Sequence, residues 1–220
     1  MSDLNLNENT QESEKQVPQD EAIVAPSSPT PSKFSKGLVE QVELVVIAFA
    51  AIILLFSFFM RTCEVSGDSM ENTLIGGDTV LISNLFYEPE RGDVIVFHNT
   101  NSELEDLNEP MVKRVIGLPG DTVKIEYSSQ GNGNKGEMKV TVIYPDGTEH
   151  VLDEDYIKYE YKYGDINKSF SVGEGKLFVM GDHRTVSLDS RYPNIGLVDS
   201  RRVLGKVLLR LNPSKFGKVD

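Results

Sequence analysis

Val112-Lys-Arg-Val-Ile-Gly-Leu-Pro-Gly-Asp-Thr-Val-Lys-Ile-Glu-Tyr127 holds two short runs rich in β-branched residues, parted by Gly-Leu-Pro-Gly-Asp. Runs of this length, bounded by Gly, Pro and Asp, read as strands. The pattern recurs on both sides. Asp93-Val-Ile-Val-Phe-His98 lies upstream, and Met138 to Tyr144 and Thr148 to Leu152 flank Pro145-Asp146-Gly147. That tripeptide supplies a preset φ, an Asx-type bond and a left-handed position, the makings of a hairpin turn. Lys176 to Met180 and Val203 to Leu211 add two later strands. No long amphipathic helix competes with them, so the fold class expected is mostly β, built from coiled antiparallel sheets. Ser128 to Gly136 is Ser, Gln, Gly, Asn and Lys, the composition of a hairpin tip. Residues 126–175 carry no evident chemical constellation and read as a smaller β-subdomain inserted into the main sheet.

Upstream the character of the chain changes. Residues 1–36 are polar and rich in Glu, Asn, Gln, Ser and Pro, too poor in apolar surface to offset the entropy of ordering. Leu44 to Met60 then runs without a charge and is dominated by Leu, Ile, Val, Ala and Phe. A cleavable leader would start near the N-terminus and leave through small residues, but this run ends Phe58-Phe59-Met60-Arg61. A buried core helix would need a domain around it, and the upstream segment offers none. The reading is a transmembrane anchor over 37–61 between a disordered acidic tail, 1–36, and an extracytoplasmic β-domain, 62–220. Lys33 and Lys36 precede the span and only Arg61 follows closely, which places the N-terminus on the cytoplasmic side.

The net charge is −12, of which the first 43 residues carry −5. An acidic chain without a basic stripe is not built for nucleic acid. Cys63 is the single cysteine, so neither an intrachain disulfide nor a multi-thiolate metal site is available. No cofactor or metal is expected.

Four stretches collect Gly, Asp, Ser and basic residues beside the strands: Val65 to Leu74, Tyr87 to Phe97, Val112 to Asp121 and Met180 to Arg191. Any one alone reads as a turn, since Gly-Asp recurs where strands reverse. In this order, after an apolar span, they resemble the bacterial type I signal peptidases. Ser69-Met70, Lys113 to Gly117 with Pro119-Gly120-Asp121, and Gly181-Asp182 through Arg191 carry the resemblance, which extends from about Val65 to Phe216.

The resemblance implies a membrane-bound endopeptidase that removes signal peptides from exported preproteins. It implies signal peptides, membrane lipid and the secretion machinery as partners. Ser69 matches the nucleophile and Lys113 the general base. Ser187 matches a hydroxyl that orients the lysine, Asp189 and Arg191 a supporting ion pair, and Asp182 a second supporting carboxylate. Ser69 N–H is the natural first oxyanion donor. Gly67 stands where some members supply a serine hydroxyl, leaving its backbone as the candidate second donor. Val65, Met70, Leu74 and Val112 match pocket positions for small side chains at −1 and −3, with ordinary core packing open for Leu74 and Val112. Asn72 stands in place of a common proline and His183 in place of a usual asparagine, read as a structural hydrogen-bonding substitute.

The residues are compatible with this chemistry, although without the block match Lys113 reads as an exposed strand lysine beside Arg114. A serine hydroxyl needs a neighbouring base. His98 and His150 sit in strand-like surroundings without partners, so a histidine triad is badly supplied. A lysine can serve if burial makes it neutral, because desolvation disfavours the ammonium. Val112, Val115 and Ile116 offer such a setting for Lys113. Leu85-Phe86-Tyr87 reads first as core packing, second as a contact with lipid headgroups. Self-cleaving Ser–Lys repressors lack the span, a tethered binding domain does not account for the blocks, and no lysine lies three residues after Ser69 as β-lactam-binding enzymes require.

Overall fold

The computed structural model describes residues 33–99, 109–129, 136–157, 167–213 and 215–219. The tail up to residue 32 and most of the 128–136 hairpin tip lie outside the described residues. The apolar run is helix α1 (Lys33–Phe59), beginning before and ending before the span read at 37–61. Its Gly37–Phe59 portion contains an 18-residue window of mean hydropathy 2.8 and is long and apolar enough to cross a membrane. Met60 and Arg61 leave the helix because they pair with Ser83 and Ile82.

The strands are β1 (Met60–Glu64), β2 (Thr79–Ser83), β3 (Val94–His98), β4 (Pro110–Gly117), β5 (Thr122–Ser129) and β6 (Gly136–Ile143). There follow β7 (Glu149–Val151), β8 (Asn167–Ser171), β9 (Lys176–Met180), β10 (Val198–Asp199), β11 (Val203–Arg210) and β12 (Gly217–Lys218). Among the described residues they form two sheets. The larger runs β1-β2-β11-β3-β4-β9-β10, with β12 on β11; the smaller runs β7-β6-β5-β8. The pairings are antiparallel, as the strand reading anticipated. The smaller sheet begins at Thr122, ahead of the boundary read at 126, because β5 pairs with β6 along its whole length. The Pro145-Asp146-Gly147 turn forms as expected: Gly147 takes φ 85° and Thr148 N–H donates to Asp146 Oδ1 at 2.8 Å.

Side-chain alternation explains why β3 is apolar on both faces. Val94 and Val96 pack into one cluster with Met70, Leu74 and Val207. Ile95 and Phe97 pack into another with Val115, Leu177 and Val179. A strand covered on both faces reads as a continuous apolar run, which is what Val94 to Phe97 is. A third cluster joins Ile116, Phe178 and Met180 to Val123, Ile125 and Val142 of the smaller sheet.

Gly117 sits in that third region, where the β4–β9 ladder shifts register. A Cβ there would stand 2.6 Å from Val123 Cγ2 and 3.0 Å from Phe178 Cβ. Gly117→Ala is therefore expected to overpack the junction of β4 and β5, destabilising the fold by about 2 kcal/mol, or roughly 4–8 °C in Tm. An unchanged melting curve would show that the packing there yields.

The Leu85-Phe86-Tyr87 triplet divides, so core packing does not hold throughout. Tyr87 packs against the second cluster and donates its hydroxyl to Asp93 Oδ2 at 2.7 Å. Phe86 has φ 49° and is 96 % exposed. The local backbone turns its ring outward.

Candidate active site

The site grows from three segments: β4, the turn between β1 and β2, and the loop that leaves β9. β4 supplies Lys113 and Arg114, held between β3 and β9. The turn from Gly67 to Leu74 is closed by backbone bonds from Glu71 to Asp68 and from Thr73 and Leu74 to Met70. Gly67 takes φ 80°, a conformation that favours glycine. These elements bring Lys113 Nζ to 2.6 Å from Ser69 Oγ.

Lys113 is 4 % exposed, and burial pulls its pKa down from 10.5 to about 8. Asp189 and Asp182 oppose that shift and Arg191 reinforces it. The neutral amine is thus accessible near physiological pH, and it lies within hydrogen-bonding reach of a hydroxyl. That is the arrangement a lysine base requires.

The charged supports are buried and paired. Asp182 receives Arg114 Nε at 2.9 Å and Nη2 at 2.8 Å, and also the Thr73 hydroxyl. Asp189 receives Arg191 Nε and Nη2, each at 2.8 Å, and its Oδ2 also accepts the Gly181 N–H at 3.0 Å. Gly181 fixes the approach of the β9 loop to the turn, since a Cβ there would overlap Ser187 Oγ and the Ser69 carbonyl oxygen. Ser187 Oγ is enclosed there without a hydrogen-bond partner among the described residues. The orienting bond to Lys113 implied by the resemblance is therefore not made in this arrangement, where Lys113 Nζ bonds Ser69.

A groove of about 670 Å³ opens over the pair and is lined by Val65, Gly67, Met70 and Val112 among others. Leu74 does not line it. The turn directs Leu74 inward, fully buried in the first core cluster, which removes it from the pocket positions. Neither Ser69 N–H nor Gly67 N–H donates to a protein acceptor among the described residues, and both residues line the groove.

Sequence reasoning missed the partners that reach the site from far along the chain. Residues 126–175, read as carrying no constellation, contribute Glu154 and Tyr156. Glu154 holds Arg184 at 2.9 and 2.5 Å, and Arg184 Nε in turn donates to the Gly181 carbonyl at 3.0 Å. The Tyr156 ring lies 4.1 Å from the Arg114 guanidinium, and its carbonyl accepts Asn72 Nδ2 at 3.2 Å. Arg210, on β11, donates to the Thr73 carbonyl. Only the presence of Arg184 inside the fourth block hinted at any of this.

Comparison with known proteins gives the geometry its setting. A family model described as "Signal peptidase, peptidase S26" matches residues 38–212. The chain belongs to the signal peptidase family. Signal peptidase IB of Staphylococcus aureus is 32% identical over 197 residues, covering 81% of this chain and 91% of its own length. The probable signal peptidase I-1 of a Synechocystis strain is 32% identical over 198 residues, covering 87% and 90%. A crystal structure of a signal peptidase I from Enterococcus faecalis shares 29% identity, with a TM-score of 0.35; the match covers 55% of this chain and 97% of that one. This signal peptidase family member is a serine endopeptidase.

Proposed function

We propose that this endopeptidase is anchored in the cell membrane by α1 and removes signal peptides from exported preproteins, using Ser69 as nucleophile and Lys113 as general base. The observation that carries the reading is the 2.6 Å contact between Lys113 Nζ and Ser69 Oγ, made by a lysine whose burial lowers its pKa to about 8. In this mechanism neutral Lys113 takes the Ser69 proton as Oγ attacks the scissile carbonyl. The resulting ammonium then protonates the leaving amine, and water, activated by the same amine, resolves the acyl-enzyme. The Ser69 and Gly67 N–H groups stabilise the oxyanion. Asp189–Arg191 and Asp182–Arg114 hold the base and turn in register.

Small residues at −1 and −3 of the substrate fit a groove walled by Val65, Met70 and Val112. The 23 residues Gly37–Phe59 span about 35 Å as a helix, enough for a hydrocarbon core of roughly 30 Å. Lys33 and Lys36 favour a cytoplasmic N-terminus and an extracytoplasmic β-domain. Exposed Phe86 suits contact with lipid headgroups, which would bring the groove to the surface where an anchored preprotein presents its cleavage site.

The test uses a preprotein with an Ala-x-Ala exit and a partner carrying Leu at −1. Cleavage is expected for the first and lost for the second. The pH profile gives a separate check. Because only neutral Lys113 accepts the proton, kcat/KM is expected to rise about tenfold per pH unit below about 8 and to level above it. A profile that is flat from roughly pH 6 to 9 would remove Lys113 as the base.

A further inference from the structure

Of the three histidines, His98 and His150 occupy exposed strand positions, whereas His183 is largely covered at the turn that carries Ser69. We propose that His183 is a positioning residue whose imidazole fastens the chain on both sides of Ser69 and so keeps the hydroxyl on Lys113. The proposal rests on Ser69 being the nucleophile.

Two contacts of the ring carry it, set beside one of the backbone. The His183 backbone N–H donates to the Ser69 carbonyl at 3.1 Å, which brings the ring to the turn. His183 Nδ1 lies 3.3 Å from the Asp68 carbonyl oxygen and 3.2 Å from Glu71 Oε2. Both neighbours of Nδ1 are oxygen acceptors, so Nδ1 carries the proton and donates. One residue therefore holds positions 68, 69 and 71. It is itself fixed from behind, because Val186 N–H and Ser187 N–H both donate to the His183 carbonyl.

The turn needs such an anchor. It contains two left-handed residues, Gly67 at φ 80° and the non-glycine Asn72 at φ 93°. The Ser69 N–H takes no part in the turn's internal bonding, as an oxyanion donor must not. The turn's internal bonds close around Ser69 without involving its own N–H or carbonyl, and the bond to the Ser69 carbonyl comes from across the site. A displacement of about 1 Å between reacting groups can lower a rate about a hundredfold.

The chemistry also accounts for the identity of the residue. Imidazole Nδ1 is attached to Cγ, as the amide nitrogen of asparagine is, so asparagine places a donor at the same number of bonds from Cβ. Glutamine places it one bond farther. Asparagine should therefore perform the task of His183, and glutamine should not.

The experiment follows steady-state cleavage of the Ala-x-Ala preprotein by the full-length protein, with Ser69→Ala as control. His183→Ala is expected to lower kcat about 10–100-fold while KM stays within about twofold. His183→Asn is expected to recover kcat to within about threefold of the parent, and His183→Gln to remain low. Glu71→Ala, at a partly exposed position outside the catalytic machinery, should lower kcat modestly and have no further effect in the His183→Ala background. A parental kcat in His183→Ala overturns the proposal, as does a loss that follows Tm and is not restored by asparagine. If His183→Ala does not fold, equal kcat for the Asn and Gln variants overturns it instead. Retained cleavage by Ser69→Ala rejects the nucleophile itself, which separates that failure from failure of the clamp.

Discussion

Replacing Lys113 with methionine is expected to abolish cleavage and, at neutral pH, to make the folded chain more stable. The first effect follows from the proposed chemistry. Without a base, Ser69 Oγ stays protonated, and loss of one member of such a unit lowers kcat by about 10⁴-fold or more. Ser69→Ala should fall equally far, and the double variant no further, because the two act as one device. The second effect follows from burial. A lysine titrating at 10.5 when exposed and at about 8 when folded binds protons more weakly in the native state. Below about pH 8 both states are protonated and the native state bears the full penalty, about 3 kcal/mol. Between about 8 and 10.5 the unfolded chain binds more protons, so stability rises with pH and the penalty fades. Lys113→Met removes it at every pH. Its Tm should exceed the parent's at pH 7, with the gap closing toward about pH 10.5. Cleavage by either variant within about tenfold of the parent would dismantle the dyad, whatever the melting curves show.

Asp182→Ala should have the largest effect on stability. Asp182 is fully buried and answers both Arg114 nitrogens, and the Arg114 side chain is itself only 3 % exposed. Removing the carboxylate leaves a guanidinium enclosed without its counter-ion, which destabilises by roughly 3–5 kcal/mol. It also removes the acceptor of the Thr73 hydroxyl, leaving that oxygen only the bond from Arg114 Nη2, so the Ser69 turn loses a tie and activity is expected to fall with stability. Removing both charges behaves differently, since an apolar pair of similar volume can be nearly neutral. Asp182→Leu with Arg114→Met is therefore expected to regain most of the lost Tm but not the activity. Thermal melts of the single and double variants check this. A single variant that melts like the parent would mean that Arg114 is neutralised elsewhere.

These two cases show what sequence could and could not supply. Ser69, Lys113, Asp189 and Arg191 stood out because four blocks together resemble the type I signal peptidases, whereas each block alone reads as a turn; Asp189 and Arg191, two residues apart, do pair. The strands were legible because β-branched runs and turn residues are local signals. The Asp182–Arg114 pair joins segments 68 residues apart, and Asn72 meets Tyr156 across 84. No local pattern encodes which distant polar group will face another after the sheets coil. Leu74, open to both pocket and core readings, takes the second for a related reason. Its block gave it proximity to Ser69, but the backbone turn decides which side chains face the groove and which face the core. Phe86 failed in the opposite sense, an apolar ring turned out by a left-handed backbone.

The position of β11 in the larger sheet carries a consequence for the life of the protein. β11 lies between β2 and β3, so it separates the strand beside the Ser69 turn from the pair that presents Lys113. Arg210 on that strand also reaches the Thr73 carbonyl. During synthesis the serine and lysine leave the ribosome long before Val203–Arg210, yet the sheet that joins their two halves waits for that segment. Such long-range closure is slow and comes late. The proposed Ser69–Lys113 centre is thus expected to assemble only after Val203–Arg210 has joined the sheet.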